Sequence, residues 1–242
     1  MRVYFIGAGP GDPELLTLKA LKIIQQCSYC IYAGSLINPQ VLRYAPPGAK
    51  LVNSAELTLG EIIEVIKEAH SQDKDVARLH SGDPFIYGAI QEQLQQLEAL
   101  GIDYELIPGI SSFQAAAAAL QQELTLPGVS QTVILTRKGG KTPVPPKESL
   151  SQLGISGATM CIFLSIDQID SIVEELIPLY GPDCPAAMVY KASWPEQKII
   201  QAPLSHLAPE VKASAIERTA LIIVGRVLEK KFVRSQLYRN KT

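Results

Sequence analysis

The residue types best suited to hold a small ligand fall in three short segments: GAGPGD at 7–12, SGDP at 81–84 and PGISS at 108–112. Gly7 and Gly9 satisfy the start of a G-x-G-x-x-G dinucleotide fingerprint, but its last glycine position holds Asp12. Pro10 fixes φ and removes a backbone N–H donor from the same loop. A pyrophosphate cradle needs those donors and an anion-friendly helix start. The loop therefore disfavours NAD or FAD and suits a cationic sulfonium ligand better. Gly82 lets a ligand approach the backbone closely. Ser111 and Ser112 would open a helix whose N–H groups attract a carboxylate, although a plain helix cap also accounts for Ser111. A different chemistry is offered by Arg137, Lys138 and Lys141 in one Gly- and Pro-rich run, with Lys191 further on. Charge-assisted hydrogen bonds from such a cluster hold carboxylates; a solvated loop is the alternative. Cys27 and Cys30 form a C-x-x-C, but Cys161 and Cys184 are isolated, so a second close ligand pair for zinc is missing. The cysteines read as small buried apolar residues.

These segments need rigid elements to carry them. Short apolar runs at 3–7, 30–33, 75–82 and the DYELIPG segment read as strands. Helical spacing is seen over 15–26 (Leu15, Leu18, Leu21, Ile24), 59–70 and 86–100, with Gly101 ending the last. An alanine-rich helix follows Ser111. In the second half TVILT, TMCIFLS, AAMVYKAS and TALIIVG are strand candidates, with helices over 167–180 and 205–215. Stretches 126–130 and 139–146 are Gly- and Pro-rich and mark a boundary or an active loop. The alternation predicts an α/β protein with open sheets, the first mostly parallel. Ligands of such sheets gather at the carboxyl ends of strands, which singles out the loops at 8–12, 34–36, 81–84 and 108–112.

Composition agrees with an ordinary globular chain. The 242 residues are 47% hydrophobic and 19% charged, with a formal net charge of −2. That balance argues against a general nucleic-acid binder. The apolar start is broken after Ile6, far short of a membrane span or secretory signal, so the expected compartment is the cytoplasm, with no membrane partner. The basic residues of the tail (Lys230, Lys231, Arg234, Arg239, Lys241) read as a solvated end.

GAGPGDPELLT, RLHSGDPFIYGA and ELIPGISSFQAAAA occur in this order, followed by LTRKGGKTPVP, TMCIFLS, VYKASWPEQKI and TALIIVG. Together with YAGSL at 32–36, this ordered set resembles the tetrapyrrole methylase family over about 1–226. The resemblance implies two α/β domains, 1–112 and 113–242, with S-adenosylmethionine in an interdomain cleft and usually a homodimer. It implies that Pro10, Ser81, Gly82, Asp83, Ile86, Ser111 and Ser112 line the cofactor on the first domain. On the second it implies Leu164, Ala192, Thr219 and Ala220, although Leu164 and Ala192 read equally well as core. The product would be S-adenosylhomocysteine.

Within the family, YAGSL and the LTR…TPVP segment are most similar to the branch that methylates carbon 11 of precorrin-4, metal-free or as its cobalt complex, on the way to vitamin B12. Lys141 departs from the arginine expected there and keeps the charge without the bidentate fork. Tyr32, Ser35, Arg137 and Lys141 are the expected substrate contacts, with Trp194 also near the ring. No metal site and no catalytic triad are expected: an electron-rich pyrrole carbon attacks a sulfonium methyl directly, and alignment supplies most of the acceleration. His80 and Tyr32 are the candidate proton acceptors. Alternatives are methylation of uroporphyrinogen III or precorrin-2, a relative acting on ribosomal RNA or diphthamide, and a non-catalytic nucleotide sensor.

Overall fold

A computed structural model describes residues 1–140 and 142–229. Lys141 and the basic tail at 230–242 lie outside the described residues. The chain divides into two compact units, Met1–Ser112 and Phe113–Thr242.

The first unit is a five-stranded sheet built from β1 (Val3–Gly7), β2 (Tyr29–Tyr32), β3 (Lys50–Asn53), β4 (Val76–His80) and β5 (Tyr104–Ile107), in the order β3-β2-β4-β1-β5. Every pairing in it is parallel. Its helices are α1 (Leu18–Ile24), α2 (Pro39–Leu42), α3 (Leu59–Ser71) and α4 (Gln91–Ala99). The period-2 alternation of a strand decides which side chain meets which layer. Val3, Phe5, Ile31 and Val76 pack with Ile62, Ile63 and Ile66 of α3 and Leu94 and Leu97 of α4. Ile6, Cys30, Ala77 and Leu79 pack on the opposite face with Ala20 and Ile24 of α1 and Val41 of α2. Each fully buried isoleucine or leucine contributes about 1.5–3 kcal/mol. Thr58 and Glu61 close a reciprocal capping box that starts α3.

The chain leaving β1 goes to β2, beyond β4, whereas the chain leaving β4 goes to β5, beyond β1. The two connections diverge, so the carboxyl ends of β1 and β4 form the switch point of the sheet.

The second unit opens with α5 (Ser112–Ala119), whose start marks the boundary. Its sheet holds β6 (Val133–Arg137), β7 (Thr159–Phe163), β8 (Pro185–Tyr190), β9 (Lys198–Pro203) and β10 (Ala220–Val224), in the order β6-β7-β10-β8-β9. The β6–β7 pair is parallel and the other pairs are antiparallel. The helices are α6 (Leu150–Leu153), α7 (Ile169–Tyr180) and α8 (Leu204–Ala213). Met160, Ile162, Met188 and Ile222 form the core with Ile172 and Leu176 of α7 and Leu207 of α8.

Some expected elements change extent. The helix expected over 15–26 begins only at Leu18, because Asp12 caps a separate 3-10 turn (Pro13–Leu15) and Thr17 Oγ1 caps α1. Its buried residues are Ala20 and Ile24, and Leu18 is 76% exposed. The helix expected over 86–100 is only α4. Residues ahead of it bend through left-handed backbone at Tyr87 (φ 57°) and Ala89 (φ 48°), which an α-helix cannot absorb. The strands β3 and β9 and the short α2 were not anticipated. Both strands are sheet edges, mostly exposed, without a clean apolar alternation.

Candidate active site

The loops after β1 and β4 meet at the switch point and bond to each other. Gly9 N donates to the Gly82 carbonyl at 3.2 Å, and Gly82 N donates to the Gly9 carbonyl at 2.8 Å. Such contact needs bare backbone. A Cβ on Gly7 would lie 2.5 Å from Gly109 N, and one on Gly109 would lie 2.3 Å from the Gly82 carbonyl oxygen. Gly7, Gly82 and Gly109 therefore pack main chain on main chain at the ends of β1, β4 and β5. Gly82 has φ +66°, the left-handed region that favours glycine, and its missing Cβ faces the Ser111–Ser112 backbone. Asp83 locks the arrangement: Oδ1 accepts from Phe85 N and Oδ2 from Gly109 N, both at 2.8 Å.

The structure thus brings Pro10, Ser81, Gly82, Asp83 and Ser111 onto adjoining loops of one sheet edge. Pro10, Gly82 and Ser111 are buried, Asp83 and Ile86 are half-buried and Ser81 is exposed. Ser112 begins α5. Asp12, which stands at the last glycine position of the fingerprint, caps its own turn by accepting from Glu14 N at 2.9 Å. Asn38 Nδ2 donates to the Gly11 carbonyl and fixes this loop against α2. The donor-poor character of the first loop comes from Pro10 and from amides already engaged.

Tyr32 ends β2 half-buried, and Ser35 is exposed in the following 3-10 turn. His80 ends β4, is 6% exposed, and stacks on Phe5. Burial, followed by the nearby Arg78 guanidinium, pushes its ring down to about 3. Burial disfavours the charged ring, which argues against His80 as the proton acceptor. A functional candidate the sequence reading passed over is Arg78, a 5% exposed guanidinium in the middle of β4. A charge inside the apolar run VARLH was the available signal.

In the second unit the strain is concentrated at one edge. Leu164 follows β7, Lys191 follows β8 and Thr219 precedes β10, and all three are left-handed, at φ 51°, 45° and 58°. The strands run so that these three positions share one edge, and Lys191 N donates to the Thr219 carbonyl at 2.9 Å. Left-handed β-branched and long side chains are uncommon, cost about 1–3 kcal/mol each and cluster at functional sites. Leu164 is 69% exposed, so the core reading fails for it, whereas Ala192 is buried. Ala220, which starts β10, is half-buried. Beside them Lys191 Nζ lies 4.8 Å from the Trp194 ring centroid and 5.7 Å from that of Tyr190.

Arg137 ends β6 at the edge shared with the end of β7, with which it is in parallel register. Its guanidinium turns into its own loop: Nη1 donates to the Thr142 carbonyl at 2.8 Å and Nη2 to the Pro143 carbonyl at 3.0 Å. Lys138 is engaged as well, with Nζ 2.5 Å from Glu175 and its N–H donating to Ser165 Oγ. Burial draws the Glu175 carboxyl upward, but Lys138 and the Ser151 amide outweigh it and hold the group below its ordinary value. Arg137 and Lys138 are therefore both engaged by the protein itself.

All four cysteines are free and buried, and burial pushes the Cys27, Cys30 and Cys161 thiols up to about 12. They have the inert, packed character expected of them. Among the described residues no cluster of His, Cys, Asp and Glu is arranged to hold a metal ion, and no helix is long and apolar enough to cross a membrane.

A parallel sheet with a glycine-packed switch point, joined in one chain to a mixed sheet with a strained edge, defines the class. Residues 2–208 match the family model described as Tetrapyrrole (Corrin/Porphyrin) Methylases, and the chain belongs to that family. The precorrin-4 C(11)-methyltransferase of Pseudomonas aeruginosa is 50% identical over 240 residues, covering 99% of this chain and 96% of that protein. The cobalt-precorrin-4 C(11)-methyltransferase of Methanocaldococcus jannaschii is 52% identical over 239 residues, covering 98% and 92%. A crystal structure of a cobalt precorrin-4 methyltransferase superposes with a TM-score of 0.91 at 40% identity, covering 94% of this chain and 95% of that one. The Thermus thermophilus uroporphyrin-III C-methyl transferase complexed with S-adenosyl homocysteine gives 0.79 at 28% identity, covering 95% and 94%.

Proposed function

We propose that this chain transfers a methyl group from S-adenosylmethionine to carbon 11 of precorrin-4, metal-free or as its cobalt complex, in cobalamin biosynthesis. The observation that carries this reading is the near-complete, roughly half-identical match to relatives named for that carbon. The site geometry supports the cofactor. Gly82, at φ +66°, packs its bare backbone directly against the start of α5, where N–H groups favour a carboxylate.

S-adenosylmethionine, when bound, supplies an electrophilic methyl on a sulfonium. The chain's own work is to bind, to orient and to keep water out. The first unit contributes the Pro10 loop, Ser81, Gly82, the Asp83-locked turn with Ile86, and Ser111 with Ser112 at the start of α5, where N–H groups favour a carboxylate. The second unit contributes Leu164, Ala192, Thr219 and Ala220 on the strained edge. Tyr32 and Ser35 are assigned to the tetrapyrrole, with Lys141 and the Arg137 loop offering positive charge to its carboxylate arms. No protein nucleophile is required, because the pyrrole carbon attacks the methyl carbon as the sulfur–methyl bond breaks. Holding the two in line supplies up to about 7–11 kcal/mol. The active species is assigned as a homodimer acting in the cytoplasm.

The test is incubation of the purified protein with S-adenosylmethionine and precorrin-4, with and without cobalt, followed by product mass and the position of an isotopically labelled methyl. A methyl at carbon 11 is expected. Methylation only of uroporphyrinogen III or precorrin-2 would assign the chain to another branch.

A further inference from the structure

We propose that Arg78 is a positioning residue that couples the loop beginning at Tyr32 to the loop ending at Ala89, and so sets the substrate and cofactor sides of the first unit together. The inference rests on the assignment of those two loops made above.

Arg78 stands on β4, the central strand, between Phe5 of β1 and Ile31 of β2. Its neighbours on that face are the apolar residues that pack under α3 and α4. A guanidinium there carries a large desolvation cost unless it is fully engaged. Burial draws it down to about 10, still charged at neutral pH. Among the described residues no carboxylate lies within ion-pair distance of it. Both of its hydrogen bonds go to neutral side chains that themselves hold backbone.

One arm runs toward β2. Arg78 Nη1 donates to Ser54 Oγ at 3.0 Å, and Ser54 Oγ donates to the Tyr32 carbonyl at 3.0 Å. Ser54 N donates to the same carbonyl at 2.9 Å. This fixes the backbone at the point where β2 gives way to YAGSL. The other arm runs toward α4. Arg78 Nε donates to Gln93 Oε1 at 3.1 Å, and Gln93 Nε2 donates to the Ala89 carbonyl at 3.3 Å. Ala89 is left-handed at φ 48° and ends the loop that starts at Asp83. Gln93 is itself 5% exposed. A neutral or apolar side chain would fill the space more cheaply. Only a planar fork with donors on separate nitrogens reaches both partners at once. The guanidinium therefore spans the two loops from beneath the sheet edge and acts through Ser54 and Gln93.

The experiment uses the full chain and three variants, Arg78→Met, Ser54→Ala and Gln93→Leu. Binding of S-adenosylhomocysteine is measured by calorimetry, and KM and kcat for precorrin-4 by turnover, all well below the melting temperature. Ser54→Ala should raise the KM for precorrin-4 several-fold and leave S-adenosylhomocysteine affinity within a factor of two. Gln93→Leu should weaken S-adenosylhomocysteine several-fold with little change in that KM. Arg78→Met should do both, and adding Ser54→Ala to it should produce no further rise. Arg78→Lys, with one ammonium, should restore one arm at most. If Arg78→Met fails to fold, the two single-arm variants still decide. Variants that lose melting temperature yet show the same KM, kcat and affinity as the parent overturn the proposal, as does loss of both readouts together in each single-arm variant. A parent that binds S-adenosylhomocysteine but does not methylate precorrin-4 overturns the proposed substrate instead, and the calorimetric split of Gln93→Leu from Ser54→Ala then tests the coupling alone.

Discussion

Asp83 Oδ2 accepts the Gly109 N–H at 2.8 Å, joining the loop after β4 to the loop after β5. The other oxygen closes the turn on Phe85 N, so one carboxylate sets both the shape of its loop and the distance to the next. Asp83→Asn replaces an acceptor by an amide that turns N–H toward N–H at one of the two positions. A hydrogen bond to a charged group is worth about 1.5–3 kcal/mol. S-adenosylhomocysteine affinity should fall by about tenfold or more, at about 1.4 kcal/mol per decade, measured by calorimetry on folded protein. Unchanged affinity would remove Asp83 from the cofactor side.

Glycines of this chain should respond to alanine with opposite signs. Gly109→Ala would place a Cβ 2.3 Å from the Gly82 carbonyl and 2.7 Å from Gly7 Cα, both backbone. Overpacking against backbone costs about 1–3 kcal/mol or more, and the misfit lies at the switch point, so cofactor affinity should fall with stability. Gly60 lies in the first turn of α3, where a Cβ would meet only Thr58 Oγ1 at 4.0 Å. Gly60→Ala should stabilise by about 0.5–1 kcal/mol and leave activity unaltered. Thermal or urea melts of the two variants check both signs.

His80 links the fold to pH. Burial first, then Arg78, lowers the folded ring to about 3, against about 6.5 in the unfolded chain. Below 6.5 the unfolded state takes up a proton that the folded state refuses until near 3, so this stability is fully present above 6.5 and is lost as pH falls. The loss approaches about 1.4 kcal/mol per pH unit, or about 2 kcal/mol at pH 5. His80→Gln cannot titrate, so its urea midpoint should fall less than the parent's between pH 7 and pH 5. Parallel pH profiles would show that the ring is charged or exposed in the folded protein.

What the sequence allowed and what it withheld follow from the range of the interactions. Strands such as Val3–Gly7 and Ala220–Val224 were legible because buried strands are short apolar runs with polar punctuation. The carboxyl-edge rule pointed to the loops at 8–12, 34–36, 81–84 and 108–112, which in the fold follow β1, β2, β4 and β5. β3 and β9 stayed hidden because an exposed edge strand needs only a neighbour's backbone and leaves little pattern. The stretch ahead of Gln91 has helical spacing in Ile86, Ile90 and Leu94, yet Gly88 packs so tightly on Pro84 that a Cβ would lie 2.1 Å from its carbonyl oxygen. A tight local turn, with left-handed Tyr87 and Ala89, overrides the helical spacing there. Arg78 was missed because its partners, Ser54 and Gln93, are distant in sequence and uncharged. Arg137 was recognised by type, but the carbonyls it binds are backbone, which carries no sequence signature.

Arg137 yields the last prediction. Read from sequence, it anchors a carboxylate arm. In the fold it holds the Thr142 and Pro143 carbonyls and so closes the loop that carries Lys138 and Lys141. Arg137→Ala should open that loop without disturbing the core, since the β6–β7 pairing is made by backbone. Two consequences follow. Tryptic cleavage after Lys138 should accelerate by about tenfold or more, because protease sites need mobile backbone. The specificity constant for precorrin-4 should fall by roughly one to two decades, as expected for losing interactions worth about 1.5–3 kcal/mol, while S-adenosylhomocysteine affinity changes little. Arg137→Lys should recover only part of each, since one ammonium cannot serve both carbonyls in the geometry of the fork. A fall in the specificity constant with no change in proteolysis would return Arg137 to direct substrate contact. Loss of cofactor affinity with normal tetrapyrrole KM would place the loop on the cofactor side.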